Sequence, residues 1–180
     1  MSHRLRWGIG VLVAAVCAGQ ILRPVDQTVL KAGPLSIIVR GAGELRLDGK
    51  ALTAKQPASG VLTATVAPAG GRHELTLGDQ KLQFFVGAAK APAGWKPYRP
   101  HAPAASCDTC HAVKDGAWGF KGAKLSTNCF GCHEQKTFAS PHSHNAEVLA
   151  ECPLCHNPHG SAEKFHLKMP RDTACKQCHG

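Results

Sequence analysis

Four short runs of this 180-residue chain carry residues whose types and spacing can do chemistry: Cys107-Asp-Thr-Cys110-His111, Cys129-Phe-Gly-Cys132-His133, Cys152-Pro-Leu-Cys155-His156 and Cys175-Lys-Gln-Cys178-His179. In a helical turn, residues three and four apart share a face. Two thiols at that spacing can add to the two vinyl groups of one porphyrin, and the next histidine meets the iron. C-x-x-C-H is for that reason the attachment pattern of c-type haem. Four copies between Cys107 and His179 imply four covalently bound haem c groups, with His111, His133, His156 and His179 as proximal iron ligands.

Two other chemistries use paired cysteines. The stretches from Cys110 to Cys129 and from Cys155 to Cys175 have lengths that four-cysteine zinc sites also use. A zinc ribbon has no need of a histidine directly after every second cysteine, and neither do four local disulfides. Haem accounts for all four histidines.

The opposite face of each iron separates a wire from an enzyme, because an open face can bind a small molecule and two protein ligands leave only electron exchange. Besides the motif histidines, the haem region holds His101, His142, His144, His159 and His166, with Met169. That supply favours two histidines on every iron, and the C-x-x-C-K motif of ammonia-forming nitrite reductases does not occur. His156 and His159 lie three residues apart and cannot clamp one iron between them. His159 must therefore reach a neighbouring haem.

The elements that must position these groups are thin. Residues 101–180 contain seven Val, Leu and Met residues and five aromatics, too few for an independent core. The porphyrins themselves must form the interior of an irregular domain with short helices around each attachment site.

Before it, residues 34–87 read as a small β-sandwich-like module. Leu35, Ile37 and Val39 alternate, Leu45 and Leu47 precede an Asp48-Gly49 turn, and Leu82, Phe84 and Val86 close the series. This pattern is similar to Ig-like and PEGA-like modules of secreted proteins. His73 reads as a structural histidine in a strand. Residues 88–100, with Pro92, Pro97 and Pro100, read as a Pro-rich linker. In it, Trp95 and Tyr98 are expected to pack on a haem face or on the β-module.

Residues 1–18 read as a signal peptide, with Arg4 and Arg6 ahead of the apolar run Trp7–Val16 and cleavage before Gly19. Retained, residues 7–22 would be a membrane anchor, shorter than the roughly 20 apolar residues that span a bilayer. Val16 is too bulky for a lipoprotein signal, so Cys17 goes with the leader. Export to the periplasm or the exterior places the cysteines outside the reducing cytosol.

Lys and Arg exceed Asp and Glu by nine, a balance that in isolation points to an acidic partner. Loss of the leader and the propionates of four haems brings the net charge close to zero. No nucleic-acid recognition motif is present, so no nucleic-acid partner is expected.

The run His144-Asn-Ala-Glu-Val-Leu-Ala-Glu-Cys152 through His156-Asn-Pro-His159-Gly-Ser161, ending at Cys175–His179, resembles the doubled C-x-x-C-H motif of multihaem cytochromes c. The resemblance covers about residues 97–180 and extends to cytochrome c3-like and extracellular cytochromes. His101, ahead of Cys107, looks like the opening of a second, looser copy, with Lys114 standing where the other copy has His159. It implies a tetrahaem electron carrier of anaerobic respiration, not an enzyme. Such a carrier takes electrons from a quinol-linked or periplasmic donor to a downstream cytochrome or an extracellular acceptor. A homo-oligomeric conductive filament and a small-oxyanion reductase with one open haem are the alternatives.

His101, His142, His144 and His159 are then the distal iron ligands. His142 makes up for Lys114, and His166 stands in reserve. With only Gly180 after His179, the fourth haem is expected to keep one exposed edge.

Overall fold

The computed structural model describes residues 19–87, 89–101, 107–122, 125–134, 136 and 144–180. Among the described residues, ten strands precede the first attachment motif. They are β1 (Gln20–Arg23), β2 (Thr28–Leu30), β3 (Leu35–Arg40), β4 (Leu45–Leu47), β5 (Lys50–Ala51), β6 (Lys55–Ala58), β7 (Val61–Val66), β8 (Gly71–Leu77), β9 (Gln80–Val86) and β10 (Lys96–Pro97). One sheet has the order β1-β3-β7-β6, the other β10-β2-β9-β8-β4-β5.

Alternation decides which faces meet. Leu35, Ile37 and Val39 of β3 turn inward, as do Leu75 and Leu77 of β8 and Leu82, Phe84 and Val86 of β9. These residues, from both sheets, form a single apolar cluster in which Ile37, Val39, Leu75 and Phe84 are wholly buried. Burying each such side chain contributes roughly 1.5–3 kcal/mol. Asp48 and Gly49, both at positive φ, make the two-residue turn between β4 and β5. His73 is a structural residue: its ring stacks on Phe84, and its nitrogens meet Asp48 Oδ2 and the Ala69 carbonyl, each at 2.8 Å.

Three boundaries differ from those read in the sequence. The β-module begins at Gln20 rather than residue 34, because β1 pairs antiparallel with β3 and β2 pairs parallel with β9. Ile21 is core, so residues 20–22 belong to the sheet and not to an anchor. The end of the 88–100 linker is also built in. Its β10 lies parallel to β2, Tyr98 N–H bonds the Val29 carbonyl at 2.8 Å, and the Tyr98 ring enters the core. Trp95 stays outside, under the Arg72 guanidinium.

Among the described residues beyond 101, regular structure is short. A hairpin of β11 (His111–Lys114) and β12 (Ala117–Phe120) is followed by helices α1 (Leu125–Phe130), α2 (Ala146–Ala150) and α3 (Arg171–His179). Among the described residues every buried hydrophobic side chain lies between Ile21 and Tyr98, whereas Val113, Phe120, Val148, Leu154 and Phe165 are exposed. No described helix is long and apolar enough to cross a membrane.

Candidate functional site

Each attachment motif sits in its own turn. A 3-10 turn over Cys107–Thr109 brings the Cys110 N–H to the Cys107 carbonyl at 3.3 Å. At the end of α1 the amides of Cys132 and His133 both bond the Cys129 carbonyl, at 3.1 and 2.9 Å. The third motif repeats this with Cys155 and His156 on the Cys152 carbonyl, at 3.3 and 3.0 Å. The fourth lies within α3. None of the eight motif cysteines is in a disulfide.

After the 3-10 turn of the first motif, His111 opens a strand. Asp115 and Gly116, both at positive φ, form a tight hairpin turn that draws the following residues into β11 and β12. The hairpin sets Trp118 and Phe120 beside His111, with ring centres at 4.6 and 5.0 Å.

The histidines come together two by two. His111 faces His159 with ring centres 6.3 Å apart and planes 12° from parallel. His133 faces His101 at 6.0 Å, and His179 faces His144 at 6.0 Å. Each of these three pairs joins a motif histidine to one outside any motif, and His101 lies in addition 5.5 Å from the non-motif His166. Among the described residues no group of three or more His, Cys, Asp or Glu is placed to hold a metal ion as a cage would.

Residues 142–180 match the family model for the doubled CXXCH motif.

That match supports a multihaem c-type cytochrome, with covalently bound haem c and electron transfer as its work. No curated protein and no solved structure matches the chain at a significant level.

The residues fit the cofactor. Two metal–nitrogen bonds of about 2 Å each, plus the half-widths of two rings, separate the ring centres of a ligand pair by roughly 6 Å. The three observed pairs stand at 6.0–6.3 Å. Beside His111 a cavity of about 450 Å³ is lined by Cys107, Val113, Trp118 and, from β6, Pro57. Cys107 at its edge is the attachment residue, and the walls are mainly apolar, as a porphyrin face requires.

Backbone carbonyls orient two of the motif imidazoles. The Nδ1–H of His111 donates to the Gly119 carbonyl at 3.2 Å and that of His156 to the Phe165 carbonyl at 2.7 Å. A carbonyl only accepts, so Nδ1 carries the proton and Nε2 keeps its lone pair for iron. Phe165 and His166 both hold positive φ, which turns the Phe165 carbonyl back toward His156.

Electrostatics act in the same direction. Burial, helped by His111 and Arg23, pushes His159 down to about 4, and burial also lowers His101, His111 and His166. These rings are neutral at pH 7, the form that binds metal. Burial, with the nearby Cys152 and Cys110, pushes the Cys129 thiol up to about 11. The side chains of Cys129 and Cys152 are themselves hydrogen-bonded, so the second and third motifs meet at their cysteine edges.

The β-module reaches this site directly. Tyr98 donates its hydroxyl to the His159 carbonyl at 2.7 Å. Arg99 and Ser161 exchange backbone hydrogen bonds of 2.8 and 2.9 Å, and Lys96 pairs with Glu163. Ser59 N–H bonds the Gly116 carbonyl at 2.9 Å.

His166 lies 5.5 Å from His101, edge to face, with a buried Nδ1 that has no hydrogen-bond partner. His142 lies outside the described residues. The roles of Tyr98, Arg99 and the β11–β12 hairpin escaped the sequence reading. Asp115-Gly116 between apolar residues was the available signal for the hairpin.

Proposed function

We propose that this chain is a tetrahaem c-type electron carrier whose irons each lie between two histidines. Cys107, Cys110, Cys129, Cys132, Cys152, Cys155, Cys175 and Cys178 would form the thioethers. His111, His133, His156 and His179 would be the proximal ligands. His159 would close the iron of His111, His101 that of His133, and His144 that of His179, leaving His142 for His156. Bound haem supplies a one-electron ferric/ferrous couple. The chain's own residues fix the imidazoles, shield the ring faces with Trp118 and Phe120, and leave no position for a substrate on a doubly ligated iron.

The observation that carries this reading is the pairing of three motif histidines with three non-motif histidines at 6.0–6.3 Å. Haem c is attached outside the cytoplasm, so the protein is read as exported, with its partners among other cytochromes or a quinol-linked donor. At the fourth motif Cys175, Cys178, His179 and His144 are all exposed, which supports this end as the one through which a partner would exchange electrons.

Intact-mass measurement of the matured protein is expected to give a gain of four haem masses. Electron paramagnetic resonance of the ferric protein should then contain low-spin signals alone. Bound zinc without haem mass would overturn the reading, and a stoichiometric high-spin signal would replace the carrier with an oxyanion reductase.

A further inference from the structure

Pro57 lies in β6, the outermost strand of its sheet, where the pairing with β7 slips register between Lys55 and Ala58. Proline has no N–H to give a ladder, and a bulge in an edge strand re-aims the side chains within it. Pro57 is exposed, and it lines the cavity of about 450 Å³ beside His111 together with Cys107, Val113 and Trp118. Two residues on, the Ser59 N–H bonds the Gly116 carbonyl at 2.9 Å, which ties the end of β6 to the turn between β11 and β12. The β-module and the hairpin thus both contribute walls to one cavity, and a backbone hydrogen bond holds them together.

The walls say what belongs inside. Pro57 and Val113 present exposed apolar surface, and Trp118 adds an aromatic one, so an apolar face that covers them is favoured. Asp108 and Lys121 bring one charge of each sign to the lining, and both are exposed, so the cavity selects no ionic ligand. Cys107, also exposed, places an attachment thiol of the first motif at the same cavity.

We infer that Pro57 is a contact residue for the haem attached at Cys107 and Cys110, so that β6 of the β-module forms one wall of that haem's binding site. The inference rests on the haem reading above and assigns to the module a role that the C-x-x-C-H region cannot fill alone. An apolar wall keeps water from the porphyrin, which disfavours the extra positive charge of the ferric form and raises the potential.

The test compares the full-length, matured wild type with Pro57→Asp and Pro57→Lys. Intact mass comes first: absence of haem from the wild type would overturn the electron-carrier reading and this inference with it. With four haems present, Pro57→Asp is expected to lower one of the four midpoint potentials and leave the other three in place. In Pro57→Lys that same potential should lie above its value in Pro57→Asp, because the two charges act on the ferric iron with opposite sign. The haem concerned should be the one whose potential His159→Ala also changes. Equal potentials in the two variants, or a shift confined to a different haem, would overturn the inference while leaving the haem reading intact. Should Pro57→Asp fail to mature, Pro57→Gln takes its place against Pro57→Lys, with the lower potential expected in Pro57→Gln and equality again overturning the assignment.

Discussion

An imidazole gives iron one nitrogen, so what holds the other nitrogen and the ring's charge decides whether it stays bound. His159→Ala, His144→Ala and His101→Ala are each expected to convert one low-spin haem to high-spin and to raise its potential, read by electron paramagnetic resonance and redox titration. His142→Ala should do the same, and His166→Ala should leave all four low-spin. A low-spin His142→Ala with a high-spin His166→Ala would exchange those two roles, which the 5.5 Å approach of His166 to His101 makes a meaningful comparison. Acid gives a second test. His159 has its folded-state pKa depressed by burial to about 4, below the ordinary histidine value of 6.5. A depressed pKa means that its contribution to stability is full above pH 6.5 and is lost as pH falls toward 4. Ligation at the His111–His159 pair should thus persist at pH 6 and fail near pH 4 or below, seen as a new high-spin band in an acid titration. Loss of that ligand already at pH 6 would contradict the buried environment. The motif residues were legible because covalent haem attachment ties residue type to spacing. The pairing was less so, because which imidazoles meet depends on how separate turns pack.

At the scale of elements, the first site depends on a seam between strand and loop. Gly160 has φ +119°, and a Cβ there would run into the Tyr98 hydroxyl and the Arg99 carbonyl. Gly160→Ala therefore combines backbone strain with a clash at the residue beside His159. It should cost about 1–3 kcal/mol, measured as a lower midpoint of thermal unfolding of the haem-loaded protein, with the haem at His111 the first to turn high-spin. Tyr98→Phe removes only the hydroxyl's bond to the His159 carbonyl and should cost about 1 kcal/mol. An unaltered midpoint in both would mean that the seam does not hold the ligand loop. Little of this seam was visible beforehand. Alternation marks β3 and β9 in the sequence, since a strand with one buried face must repeat every second residue. Strand β10 has no such mark: Lys96 and Pro97 are polar or ring-locked, and only pairing with β2 makes them a strand. The β1 strand was equally obscured, because Ile21 and Leu22 continue the apolar composition of residues 7–18.

Across the whole molecule the two halves fold for different reasons. The β-module closes on Ile37, Val39, Leu75 and Phe84, all wholly buried, and such a core can form from the polypeptide alone. The described part of the C-terminal half buries no large apolar side chain and exposes Val113, Phe120, Val148, Leu154 and Phe165. On the reading proposed above, porphyrins would give those side chains their partner surface and would couple haem attachment to folding there. The sequence already pointed this way through its scarcity of aliphatic residues after residue 100. Protein produced without haem maturation is therefore expected to keep the β-sheet signal of circular dichroism and slow hydrogen exchange in β3, β8 and β9. Residues 107–180 should exchange at nearly unstructured rates. Matured protein should regain protection across the four attachment turns and the seam at Tyr98–Ser161, while β3, β8 and β9 change little. Equal protection of the C-terminal half with and without haem would show that the polypeptide organises it unaided, and the cofactor would then be a guest in that half instead of its core.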